Sequence, residues 1–517
     1  NGAYDYYDYK EHQTYIDAIA NINKHFGKIS LAANVGYSYS DYASLTRGYG
    51  GNLVLVPNKF SLNNINPTDS KIREAGGDSK VRNVAAFASA ELGWRSMVYL
   101  TLTGRNDWNS RLVNSSEESF FYPSVGLSGI ISEMTKLPSF ISYLKVRGSY
   151  TEVGSPVSRS GMTPGTITTP IVGGSLKSTD IYPFTDYEAE RTKSYEFGLT
   201  ARFWKKLSFD FTWYKSNTYN QTFIGELPEG SGYKAVYLQA GNVENRGIEM
   251  ALGYSDNFGG LQWNSSLVYS KNVNEIKEMV KDYHHPLSPK PINIPEVSKD
   301  NGRVLLKVGG SINDIYARKV LAKDNQGFVN VSPSGGMNLE TVEPIYLGKT
   351  TPDFTMGWNN NFTYKNFGLS FLINARVGGI VTSSTQALLD RFGVSKASAD
   401  ARDAGGVMIP NQGLYDAKKY YTLVATGEND LAGYYTYSAT NVRLQELTLS
   451  YKFNSRLFNN VIKDLTLSFV ATNPWMIYCK APFDPELTAS TGTYGQGNDY
   501  FMQPSLKSYG FSVKFKF

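Results

Sequence analysis

The chain has 517 residues, of which 19% are charged, 14% are aromatic and 48 are Gly, with a formal net charge of +5. So many aromatics exclude a disordered chain, and the lack of any run of five or more Lys/Arg argues against a nucleic-acid surface. The single Cys, Cys479, excludes an intramolecular disulfide and a Cys-based zinc site.

The abundance of Tyr, Phe, Thr, Val and Gly makes the chain a poor helix former and points to an all-β fold. No stretch approaches the roughly 18 apolar residues of a transmembrane helix. A transmembrane strand needs only about 9–11 residues, half of them apolar. Taken in chain order, alternation of period 2 predicts about fifteen strands. They lie near 13–24, 28–42, 82–93, 96–107, 120–132, 142–153, 193–204, 206–220, 240–254, 260–273, 352–365, 367–379, 440–453, 463–473 and 504–517. In one of them Leu207, Phe209, Phe211 and Trp213 alternate with Ser208, Asp210 and Thr212.

The connections alternate short and long. Short ones fall near 25–28, 92–97, 133–140, 203–207, 257–260, 365–368 and 454–464. Long ones fall near 43–81, 108–119, 154–192, 221–239, 274–351, 380–439 and 474–503. Loops above about 12–15 residues are uncommon in compact soluble domains. Here every second connection is long, so all long loops emerge at one end of the sheet. That is the arrangement of an outer-membrane barrel with tight periplasmic turns and long extracellular loops. The alternation alone also fits a soluble sandwich, in which the apolar face is core. Strand length, loop asymmetry and the Tyr surplus favour the barrel, where Tyr and Trp form interfacial girdles.

Four segments carry a family resemblance. Gly241-Asn242-Val243-Glu244-Asn245-Arg246-Gly247-Ile248-Glu249 is the clearest. Leu347-Gly348 through Pro352-Asp353-Phe354, with Gly357 and Tyr364, is the second. Arg443-Leu444 with Leu449 and Tyr451 is the third, and Asn473 followed by Asp484-Pro485-Glu486 is the fourth. In this order they resemble the SusC/RagA-like TonB-linked outer-membrane transporters, over about residues 80–517. Asn473-Pro474-Trp475 departs from the usual Asn-Leu at that place.

The resemblance implies an all-β, antiparallel transmembrane barrel in the bacterial outer membrane, with no enzymatic activity, cofactor or metal. It implies import of oligosaccharides or peptides with a SusD-like surface lipoprotein, energised through TonB. The lipid bilayer and the barrel-assembly machinery are further expected partners, and nucleic acid is not. An alternative is a structural or assembly component that uses such a barrel without import. The family barrel has 22 strands and a plugged lumen. The expectation is that residues 1–517 are its C-terminal part, with further strands and the plug upstream.

Asn245, Arg246, Gly247, Glu249, Pro352, Asp353, Arg443, Asn473, Asp484, Pro485 and Glu486 are expected to be structural residues of the family motifs. Arg246 and Glu249 have opposite parity, so they fall on opposite faces of a strand and cannot pair. Gly247 marks a bulge or a close approach. Tyr509, Phe511, Val513, Phe515 and Phe517 share one face of the terminal strand and resemble the signal read by the barrel-assembly machinery. In the expected outer loops Tyr233, Tyr237, Tyr434, Tyr435 and Tyr437 are candidate ligand or lid contacts, since flat rings stack on sugars and offer a hydroxyl. Lys323-Asp324-Asn325-Gln326-Gly327 lacks the distal Glu of a calcium loop and reads as a turn.

Overall fold

Each alternating segment forms a strand, and each strand pairs antiparallel with the next in the chain. The computed structural model describes all residues except 1, 66–72, 114, 116, 157–170, 173–174, 177–180, 183–187, 229–230, 232, 234, 333–335, 427–430, 432, 455–463, 491, 493 and 517. At 73–77, 171–172, 175–176, 181 and 301 it describes the backbone alone.

The main sheet runs through β1 (Ala3–Phe26), β2 (Ile29–Asn52), β3 (Arg73–Trp94), β4 (Val98–Asn109), β5 (Ser119–Ile130), β6 (Ile141–Ser155), β7 (Glu190–Phe203) and β8 (Leu207–Glu226). It continues through β9 (Ala235–Phe258), β10 (Leu261–Glu278), β11 (Phe354–Tyr364), β12 (Phe367–Val377), β13 (Asn441–Phe453), β14 (Asp464–Cys479) and β15 (Ser508–Lys516). These strands are neighbours in that order, with β1 and β15 at the two ends.

The predicted strands are all present, but several run longer. β1 begins at Ala3, β2 continues to Asn52, and β8 and β9 extend to Glu226 and back to Ala235. The expected loops 43–81 and 221–239 are correspondingly shorter. The extensions, such as Ala43-Ser44-Leu45-Thr46-Arg47, lie beyond the apolar band. There both faces of a strand are wet and alternation fades.

The tight turns use left-handed residues. The two-residue turn between β9 and β10 is Gly259-Gly260, with φ of 56° and 93°. A type I′ hairpin turn requires positive φ at both positions, which glycine adopts at least cost. The β5–β6 turn carries one short helix, α1 (Ile131–Met134).

Register aligns the two faces. Leu144, Ala201, Phe209, Leu252, Leu267, Trp358, Ile373, Leu444 and Trp475 are successive cross-strand partners. Directly opposed residues point the same way, so this is one apolar row. On the other face the row reads Arg147, Gly198, Thr212, Glu249, Ser270, Thr355, Arg376 and Asn441. Its Gln, Asn, Ser, Thr and charged neighbours make a wet wall.

The long loops have cores of their own. The β10–β11 loop carries a four-stranded sheet of Glu296–Lys299, Val304–Lys307, Asp314–Leu321 and Leu339–Lys349. It buries Val304, Leu306 and Ile315 against Val243 and Ile276 of the barrel wall. The β12–β13 loop folds into α2 (Ser384–Arg391), α3 (Lys396–Asp403) and α4 (Ala417–Thr426) around Ala387, Val424, Ala425 and Tyr435. Ser383 caps α2 by accepting the Gln386 amide at 3.1 Å, the usual role of Ser at that position.

Candidate functional site at the loop end of the barrel

The polar wall rises into the loops at β13 and β14, where both strands bulge. Gln445 has no partner on β14, and Asn473-Pro474 have none on β13. Asn473 takes φ of 49°, a left-handed conformation that Asn tolerates better than most residues. Pro474 cannot donate to a ladder, so an interruption is where it fits. Above the bulge Arg443 faces the lumen side and reaches the last long loop. Its Nη2 donates to Asp484 Oδ1 at 2.8 Å and stands 3.2 Å from Glu486 Oε2.

Burial pushes the Asp484 carboxyl up. Hydrogen bonds from Arg443, Ser505 and the Glu486 amide outweigh it and hold the group below the ordinary carboxylate range. Two motif fragments read separately in the sequence are thus one ion pair. Together with Trp475, Met476, Cys479 and Pro504 they line a recess of about 270 Å³. Pro485 follows Asp484 in the same clasp.

The clearest motif fragment lies on β9. Arg246 pairs with Glu244 at 2.7 Å and with Glu275 at 3.4 Å, not with Glu249. Glu249 faces the opposite side, beside Asp210, Thr212, Ser270 and Thr355. Asn245 accepts hydrogen bonds from Asn272 and Asn274. Gly247 is a close approach without a bulge: a Cβ there would stand 2.2 Å from the Lys271 carbonyl oxygen. Pro352 and Asp353 precede β11. The Asp353 amide donates to Val377 O at 2.8 Å, and its carboxylate meets Lys349 at 2.8 Å.

The candidate tyrosines fall into two groups. Tyr237 stands on β9 and not in a connecting loop, because that strand starts earlier than its alternation suggests. Tyr233 packs edge-on against Tyr182 at 5.0 Å, and His285 does the same at 4.9 Å. Tyr434 donates to Tyr420 at 3.0 Å, Tyr435 to Asp390 at 3.1 Å, and Tyr437 to Gln386. Tyr435 is only 2% exposed and belongs to the loop's core. Burial pushes the phenols of Tyr434 and Tyr435 well above their ordinary range. The Asp324 stretch is a turn: Oδ1 accepts the Gln326 and Phe328 amides, and Gly327 has φ of 87°.

On β15 Tyr509, Phe511, Val513 and Phe515 are exposed on one face. Phe517 lies outside the described residues.

Sequence reading missed the lumen-facing ion networks. Asp107 is 4% exposed and accepts from Arg105 at 2.8 and 2.9 Å, from Asn83 at 2.9 Å and from Tyr122. Arg147 donates to Thr212 at 2.6 Å and Thr200 at 3.3 Å. The available signal was Arg105 and Asp107 two apart, which puts both on one strand face.

A long antiparallel sheet with one apolar and one polar face, tight turns at one end and folded loops at the other, defines a transmembrane β-barrel of the outer membrane. The chain belongs to the TonB dependent receptor-like, beta-barrel family, whose profile matches residues 1–473. That is a family of receptors, not of enzymes.

It is similar to TonB-dependent receptor P3 of Formosa agariphila, at 23% identity over 96% of this chain and 51% of that protein. It is similar to TonB-dependent receptor SusC of Bacteroides thetaiotaomicron, at 24% identity over 81% of this chain and 43% of that protein. The chain thus spans about half the length of the curated relatives it matches. Among solved structures it shares its fold with the RagAB peptide importer. The open-open state gives a TM-score of 0.75 at 17% identity, covering 99% of this chain and 55% of that one. The closed-closed state gives 0.72 at 17% identity, covering 98% and 56%.

Proposed function

We propose that this chain is the C-terminal barrel portion of an outer-membrane active transporter that imports oligosaccharides or peptides, energised through TonB, with a SusD-like surface lipoprotein as its lid. The observation that carries the reading is the family match across residues 1–473. The likeness to a peptide importer and to SusC supports it. In this proposal the rest of a 22-strand barrel and its plug come from the part of the relatives that the chain does not span.

Ligand and lid contacts are assigned to the loop end, with Tyr233, Tyr237, Tyr434 and Tyr437 offering ring faces. Tyr435, being buried, is assigned to loop stability. The terminal strand, with Tyr509, Phe511, Val513, Phe515 and Phe517, is assigned to the barrel-assembly machinery.

The test is uptake of labelled glycans and peptides in a strain deleted for the gene. Loss of one class, restored by complementation, supports import and names the class. Unchanged uptake of every glycan and peptide, with assembly proteins captured in place of a lipoprotein, favours a scaffolding role.

A further inference from the structure

The outward face of β7–β10 changes character over four successive rows. One row reads Leu199, Phe211, Met250 and Tyr269; the next reads Phe197, Trp213, Ile248 and Lys271. Then come Tyr195, Lys215, Arg246 and Val273, and after them Lys193, Asn217, Glu244 and Glu275. Hydrocarbon-facing residues thus give way to rings and then to charge.

The height of this change can be placed. Lys215 is eight residues beyond the start of β8 at Leu207. At about 3.4 Å per residue and a tilt near 40°, that is roughly 21 Å, close to the ~25 Å height of a barrel's apolar band. The charged rows therefore stand at the outer boundary of the bilayer. They lie on the wall opposite the lumen, because Val243 and Ile276 on the other face are covered by the β10–β11 loop.

The charges at this boundary are ordered and unequal. Lys215, Arg246 and Lys277 share Glu244 and Glu275, at 2.9 Å for Lys215–Glu244 and 2.7 Å for both Arg246–Glu244 and Lys277–Glu275. Lys193 and Lys271 flank this cluster, and among the described residues neither has a carboxylate within ion-pair distance. The next carboxylate along the row, Glu152, is taken up by Arg191 at 2.9 Å. Glu278 stands past the irregularity at Lys277, toward the loop. Of the two carboxylates Glu244 is sunk beneath the cations, its side chain 5% exposed against 42% for Lys215 and 47% for Arg246, whereas Glu275 is 28% exposed beside Lys277 at 33%. They hold the cationic heads in place and cannot neutralise all of them.

We propose that this cluster is a binding site for the phosphate groups of an outer-leaflet lipid headgroup. A fixed group of Lys and Arg heads at the bilayer boundary, above an aromatic row, complements a phosphorylated headgroup in charge and height. The lumen-bound solute never meets this wall, so the site is separate from transport.

The experiment titrates the full chain, purified in detergent, with a bis-phosphorylated outer-leaflet glycolipid and follows the thermal midpoint. Parallel arms use the same glycolipid stripped of phosphate, and inorganic phosphate alone. The variant Lys193→Gln/Lys271→Gln removes two positive charges and leaves the Glu244 and Glu275 pairs intact. A Lys145→Gln control removes one from the lumen face. Expected is saturable stabilisation by the phosphorylated lipid only, about thirtyfold weaker in the double variant and unchanged in the control. Equal affinity for the phosphate-free lipid, equal affinity of the double variant, or the same stabilisation from inorganic phosphate would each overturn the proposal.

Discussion

Arg443 and Asp484 lie 41 residues apart in the chain and meet at 2.8 Å, each with a side chain only 7% exposed. One is on the wall of the barrel and the other is in the last long loop, so the pair fastens loop to wall. Breaking a buried pair from one side leaves an uncompensated charge and costs about 3–5 kcal/mol. Arg443 keeps Glu486 as a second partner, so Asp484→Asn is expected near the lower end and Arg443→Met higher. The double change Arg443→Met/Asp484→Leu should recover most of the loss. Urea unfolding in vesicles measures all three. Cys479 lines the same recess and is the chain's single thiol, so its labelling should quicken in the single variants.

The same pair sets a pH dependence. The folded Asp484 carboxyl titrates below its ordinary value, which is about 3.9 in an unfolded chain. A depressed folded pKa stabilises the fold above the unfolded value, and that contribution fades as pH falls through the folded one. Wild-type stability should therefore drop below about pH 4, and Asp484→Asn should lack that component. Identical pH profiles for the two proteins would remove Asp484 from the account.

Gly247 has no room for a side chain: an added Cβ would meet the Lys271 carbonyl at 2.2 Å and the Tyr214 hydroxyl at 2.5 Å. The ring could turn away, but the neighbouring strand's backbone cannot without loosening the ladder. Gly247→Ala is expected to cost about 1–3 kcal/mol, as overpacking does. Gly510 on β15 has nothing within 4 Å of its added Cβ, and Gly510→Ala should leave stability within about 0.5 kcal/mol of wild type. Comparing the amount of heat-resistant folded protein in membranes separates the two.

How much was legible follows from what surrounds each residue. Within the bilayer one face must be apolar and the other wet, so Phe209, Phe211 and Trp213 announce their strand. Beyond the bilayer no such rule acts, and the upper halves of β1 and β2 carry no alternation to read. The motif at Asn242–Glu249 correctly separated Arg246 from Glu249, because strand parity is local. The contact between Arg443 and Asp484 depends on the path of a loop, which no local pattern encodes. Tyr435 looked like its neighbours Tyr434 and Tyr437, and only the packing of α2 and α4 around it decides that it is buried.

The assignment of faces is open to direct challenge. Phe211 belongs to the apolar face, in the row between Leu199 and Met250. Ser266 belongs to the opposite face of β10, two residues from Asn264 and one from Leu267. If the apolar row meets lipid, Phe211→Arg, four residues beyond Leu207, places a charge near the middle of the bilayer, at a cost of about 2–4 kcal/mol. Ser266→Arg then points into a wet lumen and should be tolerated, with folded yield close to wild type. A soluble sandwich would impose the same penalty on Phe211→Arg, so the decisive readout is a pair of cysteine variants. In a Cys479→Ser background, Leu267→Cys should react with a lipid-soluble thiol probe and resist a charged one. Ser266→Cys should react with the charged probe. The reverse pattern would mean that the polar row faces lipid, and the barrel reading would fall.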